Sequence, residues 1–294
     1  MRQVWIVSFV LALLTGPYVL SPCLAVAETT GLNRHKGSGT DIEVDLQLIL
    51  AVDVSASIDL LEARLQRRGY MNALLDPLVH QAIQSGPQGR IAVTYTEWAG
   101  PLTQRTVVDW LVIDGAASAA NFVELLDQAS ILGGQRTSIS NAILHAIPLF
   151  RNNGFRSQRK VIDISGDGPN NGGFYVHRTR TRAFDEGITI NGLPILNGRP
   201  SPLGIPTIPD LDLYYEDCVI GGPGAFIVVA ENLRSFAAAI RRKLIIEIAE
   251  ITPFRQKVNQ SLGFVPAQLN LGLTDCTIGE KQFELFRKRK GKKR

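Results

Sequence analysis

From Ile42 onward, short strand-like apolar runs alternate with helical patterns, and this alternation limits the available folds more than any other feature of the sequence. Strands that run parallel need a crossover between them, usually a helix, so the pattern implies an α/β fold. The expected form is a doubly wound, mainly parallel sheet of about six strands, with helices on both faces and one short antiparallel edge. Val44–Val52 is the first strand, and its near-continuous apolar end marks a strand buried on both faces. Ile58, Leu61, Leu65, Leu74, Leu75, Leu78 and Ile83 recur at helical spacing and predict one amphipathic helix. Further strands are expected at 90–98, 105–113, 160–165 and 188–196, and within 218–230, where Gly221-Gly222-Pro223-Gly224 interrupts the run. Helices are expected at 118–132, 138–152, 176–186 and 233–248.

The segments outside this alternation carry different signals. Arg2, an apolar run from Val4 to Leu14 and the small-x-small site Ala25-Val26-Ala27 read as a signal peptide over 1–27, with the mature chain starting at Glu28. The run is too short to span a bilayer. Export to the periplasm or beyond the cell follows as an expectation. Residues 28–41 form a polar linker, 42–250 the domain, 251–286 a C-terminal extension and 287–294 a basic tail. Of the 31 basic side chains, seven lie in that tail and one is Arg2, so the body, which holds all 27 acidic groups, is mildly acidic. No nucleic-acid partner is expected. The tail either contacts anionic surfaces or is a solvated, disordered end.

Once Cys23 leaves with the signal, Cys218 and Cys276 remain in a compartment that permits disulfides. They either pair, tying the extension back to the last strand, or stay as two buried thiols; sequence separation does not choose between these. Neither paired Cys nor Cys/His spacing suits zinc.

The chemistry-bearing residues gather at one edge of the expected sheet. Asp53-Val54-Ser55-Ala56-Ser57 directly follows the first strand, at the carboxyl edge where α/β proteins place ligands. Thr137 enters the third helix, and Asp167 ends the strand Lys160–Ser165. Two carboxylates and three hydroxyls from separated loops would meet there as hard oxygen donors. The set resembles the von Willebrand factor A-like fold, whose metal-ion-dependent adhesion site is Asp-x-Ser-x-Ser, a distant Thr and a distant Asp. The segment Ser165-Gly166-Asp167-Gly168-Pro169-Asn170-Asn171 is similar to that of an uncharacterised bacterial family of such domains. The resemblance implies a Mg²⁺ site, with Mn²⁺ or Ca²⁺ as alternatives, formed by Asp53, Ser55, Ser57, Thr137 and Asp167. The hydroxyls would bind directly, and one or both aspartates through water. It further implies adhesion-type binding of a protein ligand that presents Asp or Glu to the metal, without catalysis. Arg136, Asn170 and Asn171 are candidate partner contacts. Arg136 either orients the partner's carboxylate or pairs with Asp167.

Two other classes compete with this reading. A Mg²⁺-dependent hydrolase of the haloacid-dehalogenase type needs a second aspartate two residues after the first, where Ser55 stands. A structural module would use the metal only to hold its loops. His35, His80, His145 and His177 show no metal spacing. Trp98, Phe174, Tyr175, Tyr214 and Tyr215 belong either to a recognition surface or to core packing.

Overall fold

The computed structural model describes residues 41–196, 207–249, 264–266 and 274–291. The signal peptide, all of the linker but Asp41, the excursion 197–206, most of the extension and the last three tail residues lie outside the described residues.

In chain order the strands are β1 (Ile42–Glu43), β2 (Gln47–Asp53), β3 (Ile91–Trp98), β4 (Gln104–Ile113), β5 (Phe155–Arg156), β6 (Lys160–Gly166), β7 (Ile188–Pro194), β8 (Phe226–Val228) and β9 (Phe264–Pro266). The helices are α1 (Leu60–Leu74), α2 (Pro77–Gln84), α3 (Ala116–Gln128), α4 (Ile139–Ala146), α5 (Val176–Asp185), α6 (Leu211–Tyr214), α7 (Leu233–Ile248) and α8 (Ile278–Gly291). The main sheet has seven strands in the order β4-β3-β2-β6-β7-β8-β9. Strands β2, β3, β6, β7 and β8 pair in parallel, while β4 and β9 are antiparallel edges. β1 and β5 form a separate parallel pair.

The order positions the site. β2 is flanked by β3 on one side and β6 on the other, so the winding direction reverses at β2 and opens a crevice beyond its carboxyl end. Within β2, Leu48, Leu50 and Val52 face the layer that holds Tyr70, Phe122 and Phe236, whereas Ile49 and Ala51 face the layer that holds Ile143, Ile162 and Val176. Both layers exclude water from the strand, which explains its unbroken apolar character.

Several expected elements differ. The single helix over 58–83 is two, because Pro77 offers no N–H to a continuing helix; it starts α2 instead, with Asp76 Oδ1 accepting from Leu78 N at 2.8 Å. Its expected apolar face is also wrong: Leu61, Leu65, Leu75 and Leu78 are exposed, and α1 buries Gln66, Arg67 and Tyr70. Ser138 caps α4, which passes into a tight turn at Ile147–Phe150. Cys218 lies in a helical turn (Tyr215–Val219), so the last parallel strand is only β8. The antiparallel edges number two rather than one, and β4, at 10 residues, is long. Residues 287–291 of the expected solvated tail continue α8.

Candidate metal centre

Asp53 is the last residue of β2, and its Oδ1 accepts from the Ser55 backbone N–H at 2.7 Å, which turns the chain back over the strand end. Ser55 Oγ and Ser57 Oγ then stand 3.0 Å apart. From β6, Asp167 reaches across, and Ser57 Oγ donates to its Oδ1 at 2.6 Å. Asp53, Ser55, Thr137 and Asp167 are all buried, so this end of the sheet is largely shielded from solvent.

The third loop is tied to the second by asparagines. Asn171 Oδ1 accepts from Thr137 N at 2.9 Å, and Asn171 N donates to Thr137 O at 2.9 Å. Asn170 Oδ1 accepts from Ser140 N at 3.0 Å, and Ser138 Oγ donates to Gly172 O at 2.8 Å. Asn170 and Asn171 are themselves buried, and the Asn171 amide holds Thr137 while that of Asn170 holds the first turn of α4. Sequence reasoning gave them to the partner because an Asn-Asn pair in a polar loop carries no sign of which way its amides point.

The electrostatics of the cradle follow from its burial. Asp53 Oδ2 and the Tyr215 hydroxyl are buried without a hydrogen-bond partner among the described residues. Both surround Gly166, where a Cβ would lie 2.9 Å from each oxygen. Burial raises the Asp53 carboxyl well above the ordinary aspartate value, and the nearby Asp167 charge raises it further, against the opposing Ser55 backbone N–H. Burial, then the Asp53 and Asp167 charges, likewise raise the Tyr215 phenol. Two carboxylates held close in a dry site, with one oxygen unpartnered and hydroxyls beside them, form a donor set that suits a hard cation. Among the described residues no group of three His, Cys, Asp or Glu side chains is arranged for a metal.

The rim differs from the sequence expectation. Trp98, Tyr214 and Tyr215 are buried and belong to the core, while Phe174 and Tyr175 are exposed. Arg136 has a left-handed backbone (φ 69°), donates to Asn171 O, and lies with its guanidinium 4.3 Å from the centre of the Phe283 ring on α8. α8 is held close to the site from two directions. Asn170 Nδ2 donates to Glu280 Oε1 at 2.7 Å, and Cys218 is bonded to Cys276 just before the helix. The disulfide is the pairing of the two alternatives the sequence left open, and it ties the extension back to the domain; that the extension brings a helix to these loops had no signal in the sequence.

Residues 43–252 match the model of the family described as "Protein of unknown function (DUF1194)". The chain belongs to that family. A comparison with curated proteins returns no match. Among solved structures, this member of the family is similar to proximal thread matrix protein 1 from the mussel byssus "with zinc occupied MIDAS motif", at 14% identity and a TM-score of 0.50, over 71% of this chain and 47% of that one. It is similar to the pilus adhesin SpaC from Lactobacillus rhamnosus GG at 13% identity and a TM-score of 0.51, over 73% of this chain and 32% of that one. A von Willebrand factor type A structure from Catenulispora acidiphila aligns at 12% identity with a TM-score of 0.47, over 70% of this chain and 43% of that one. The chain therefore spans less than half the length of these structures. The fold is α/β and von Willebrand factor A-like.

Proposed function

We propose that this family member is an adhesion-type binding module whose Asp53, Ser55, Ser57, Thr137 and Asp167 hold a divalent cation, Mg²⁺ by preference. The observation that carries the reading is that three loops meet at one buried cradle in which Asp53 Oδ2 has no hydrogen-bond partner among the described residues. A bound Mg²⁺ would supply a hard Lewis acid able to take a carboxylate oxygen from a protein ligand. The chain's own part is positional. Asp53 fixes the Ser55 turn, Ser57 is aligned by Asp167, and Asn170 and Asn171 fix the loop that carries Thr137. The exposed Phe174 and Tyr175 are candidates for an aromatic rim against the partner.

The similar structures, a pilus adhesin and a matrix protein with a zinc-occupied MIDAS motif, agree in kind with this reading. Catalysis finds no support in the cradle, because Ser55 stands where the haloacid-dehalogenase-type acid would be. Export after cleavage at Ala27 belongs to the same proposal, and no described helix is long and apolar enough to cross a membrane. The test is calorimetric titration of the pure protein with Mg²⁺, beside capture from a cell-envelope fraction in Mg²⁺ and in EDTA. Saturable Mg²⁺ heat and EDTA-sensitive capture are expected. Absent metal binding, or turnover of phosphate esters, would overturn the adhesion reading.

A further inference from the structure

A second buried cluster lies between β6 and α7. Asp163 in β6 and Lys243 and Glu247 in α7 have side chains that are 2%, 1% and 0% exposed. Lys243 Nζ is 2.7 Å from Asp163 Oδ1 and 3.1 Å from Glu247 Oε2. The two contacts differ in kind. The one to Glu247 is an aligned hydrogen bond, whereas the one to Asp163 Oδ1 is a close ion pair in which that oxygen makes no well-aligned hydrogen bond among the described residues. Lys243 is thus shared between two buried carboxyls, with its amine 2.7 Å from the Asp163 carboxyl oxygen.

The surroundings fix all three groups. Asn191 Nδ2 donates to Glu247 Oε1 at 2.7 Å, and Asn191 Oδ1 accepts from Phe226 N at 3.0 Å. The Phe226 ring centre is 5.2 Å from Lys243 Nζ. On the far side Tyr70 donates to Ser165 Oγ at 3.0 Å, which holds the phenol beside β6. Three ionisable groups in a dry pocket carry a large desolvation cost, since one ammonium cannot neutralise two carboxylates. Burial pushes the Asp163 carboxyl up to about 7, with Lys243 opposing and Glu247 reinforcing the rise. A covalent link between amine and carboxyl would remove both charges of the pair at once. It would also use a proximity that the fold has already established.

We propose that Lys243 and Asp163 condense into an intramolecular isopeptide bond, with Glu247 as the catalytic proton carrier. Lys243 passes a proton to Glu247, and the freed amine attacks Asp163 Cγ, forming the Nζ–Cγ bond. The Cγ–O bond then breaks, and the departing oxygen takes its protons from the amine by way of Glu247. Ammonium and carboxylate become one amide and one water. Glu247 ends as it began, and no oxidant, cofactor or second substrate enters. The link joins the central sheet to the closing helix, so a pull on the C-terminal part of the domain would reach β6 through a covalent bond.

Peptide-level mass spectrometry of the reduced, denatured full-length protein tests this. The expected result is a branched tryptic product that joins the Asp163 and Lys243 peptides, lighter by one water than their sum and uncut after Lys243. The corresponding linear peptides should be lost. Lys243→Ala should restore the linear Asp163 peptide, and Glu247→Gln should leave most of the protein linear. The wild-type digest decides the matter even if a variant fails to fold. Only linear peptides in the wild type would overturn the proposal. A Lys243–Asn191 product formed with loss of ammonia would overturn the Asp163 assignment, and a fully linked Glu247→Gln variant would overturn the role of Glu247.

Discussion

Ser57 Oγ and Asp167 Oδ1 are 2.6 Å apart although 110 residues separate them in sequence, so β2 and β6 deliver the loops that follow them to one point. Removing either partner should damage cation binding without opening the core, because neither side chain packs in the apolar layers. Ser57→Ala and Asp167→Ala are expected to keep the wild-type circular dichroism spectrum. Their Mg²⁺ affinity should fall by about 10- to 100-fold, the range typical of lost ligands and their supports. Unchanged affinity in folded Asp167→Ala would refute the convergent site.

Metal-free protein should show the strain of the two carboxylates as a pH dependence. Asp53 is raised above its ordinary value of 3.8, first by burial and then by Asp167, so the folded state holds its proton more tightly than the unfolded chain does. Its favourable contribution is therefore complete below the unfolded value and is lost as pH rises through the folded one. In EDTA, thermal stability measured upward from about pH 4 should decline from this group. In Mg²⁺ the decline should shrink or reverse, since the cation favours the ionised form. Asp53→Asn should flatten the EDTA profile. An EDTA profile that is the same for wild type and Asp53→Asn would remove the electrostatic basis for the site.

The part of this arrangement legible in the sequence was the part written in strand periodicity. Asp53 and Asp167 both end apolar runs, and in a parallel sheet such ends share an edge. The polar contents of the core were not legible. Gln66 and Arg67 are buried while Leu61 and Leu65 are exposed, because Arg67 finds an acid and three carbonyls inside the protein. Periodicity counts apolar residues and cannot anticipate a buried guanidinium with its partners. For the same reason Asp163, Lys243 and Glu247 read as ordinary positions of a strand and a helix until the fold brought them together.

Glu97 in β3 holds both Arg67 and Arg105, the latter at 2.9 Å, and is 3% exposed. Arg67 and Arg105 also donate to carbonyls of the segment that follows α3. Glu97→Ala would leave the Arg67 guanidinium buried with carbonyls alone, a change that costs about 3–5 kcal/mol in comparable pairs. Arg105→Ala should cost about 1 kcal/mol or less, since Arg105 is 32% exposed. Urea unfolding of the two variants checks the ranking, and equal losses would contradict it.

The bond between Cys218 and Cys276 controls how α8 meets the metal loops. It anchors the chain three residues before Gly279, whose backbone packs so closely on the loop that a Cβ would come within 2.1 Å of Asn170 O. Beyond it, Glu280 takes the Asn170 amide and Phe283 covers Arg136. Protein denatured without reductant should therefore contain no alkylatable thiol from this pair. Cys276→Ser should lower stability by about 2–4 kcal/mol, as loss of such a bridge usually does. Gly279→Val keeps the bridge but blocks the close approach, so it should cost less stability while freeing the loop as effectively. Hydrogen exchange at Asn170 and Asn171 reads the difference. Faster exchange at these two amides in both variants, with the β2 amides still protected, is the expected result. Unaltered exchange at Asn170 and Asn171 in Gly279→Val would show that α8 does not hold the loop.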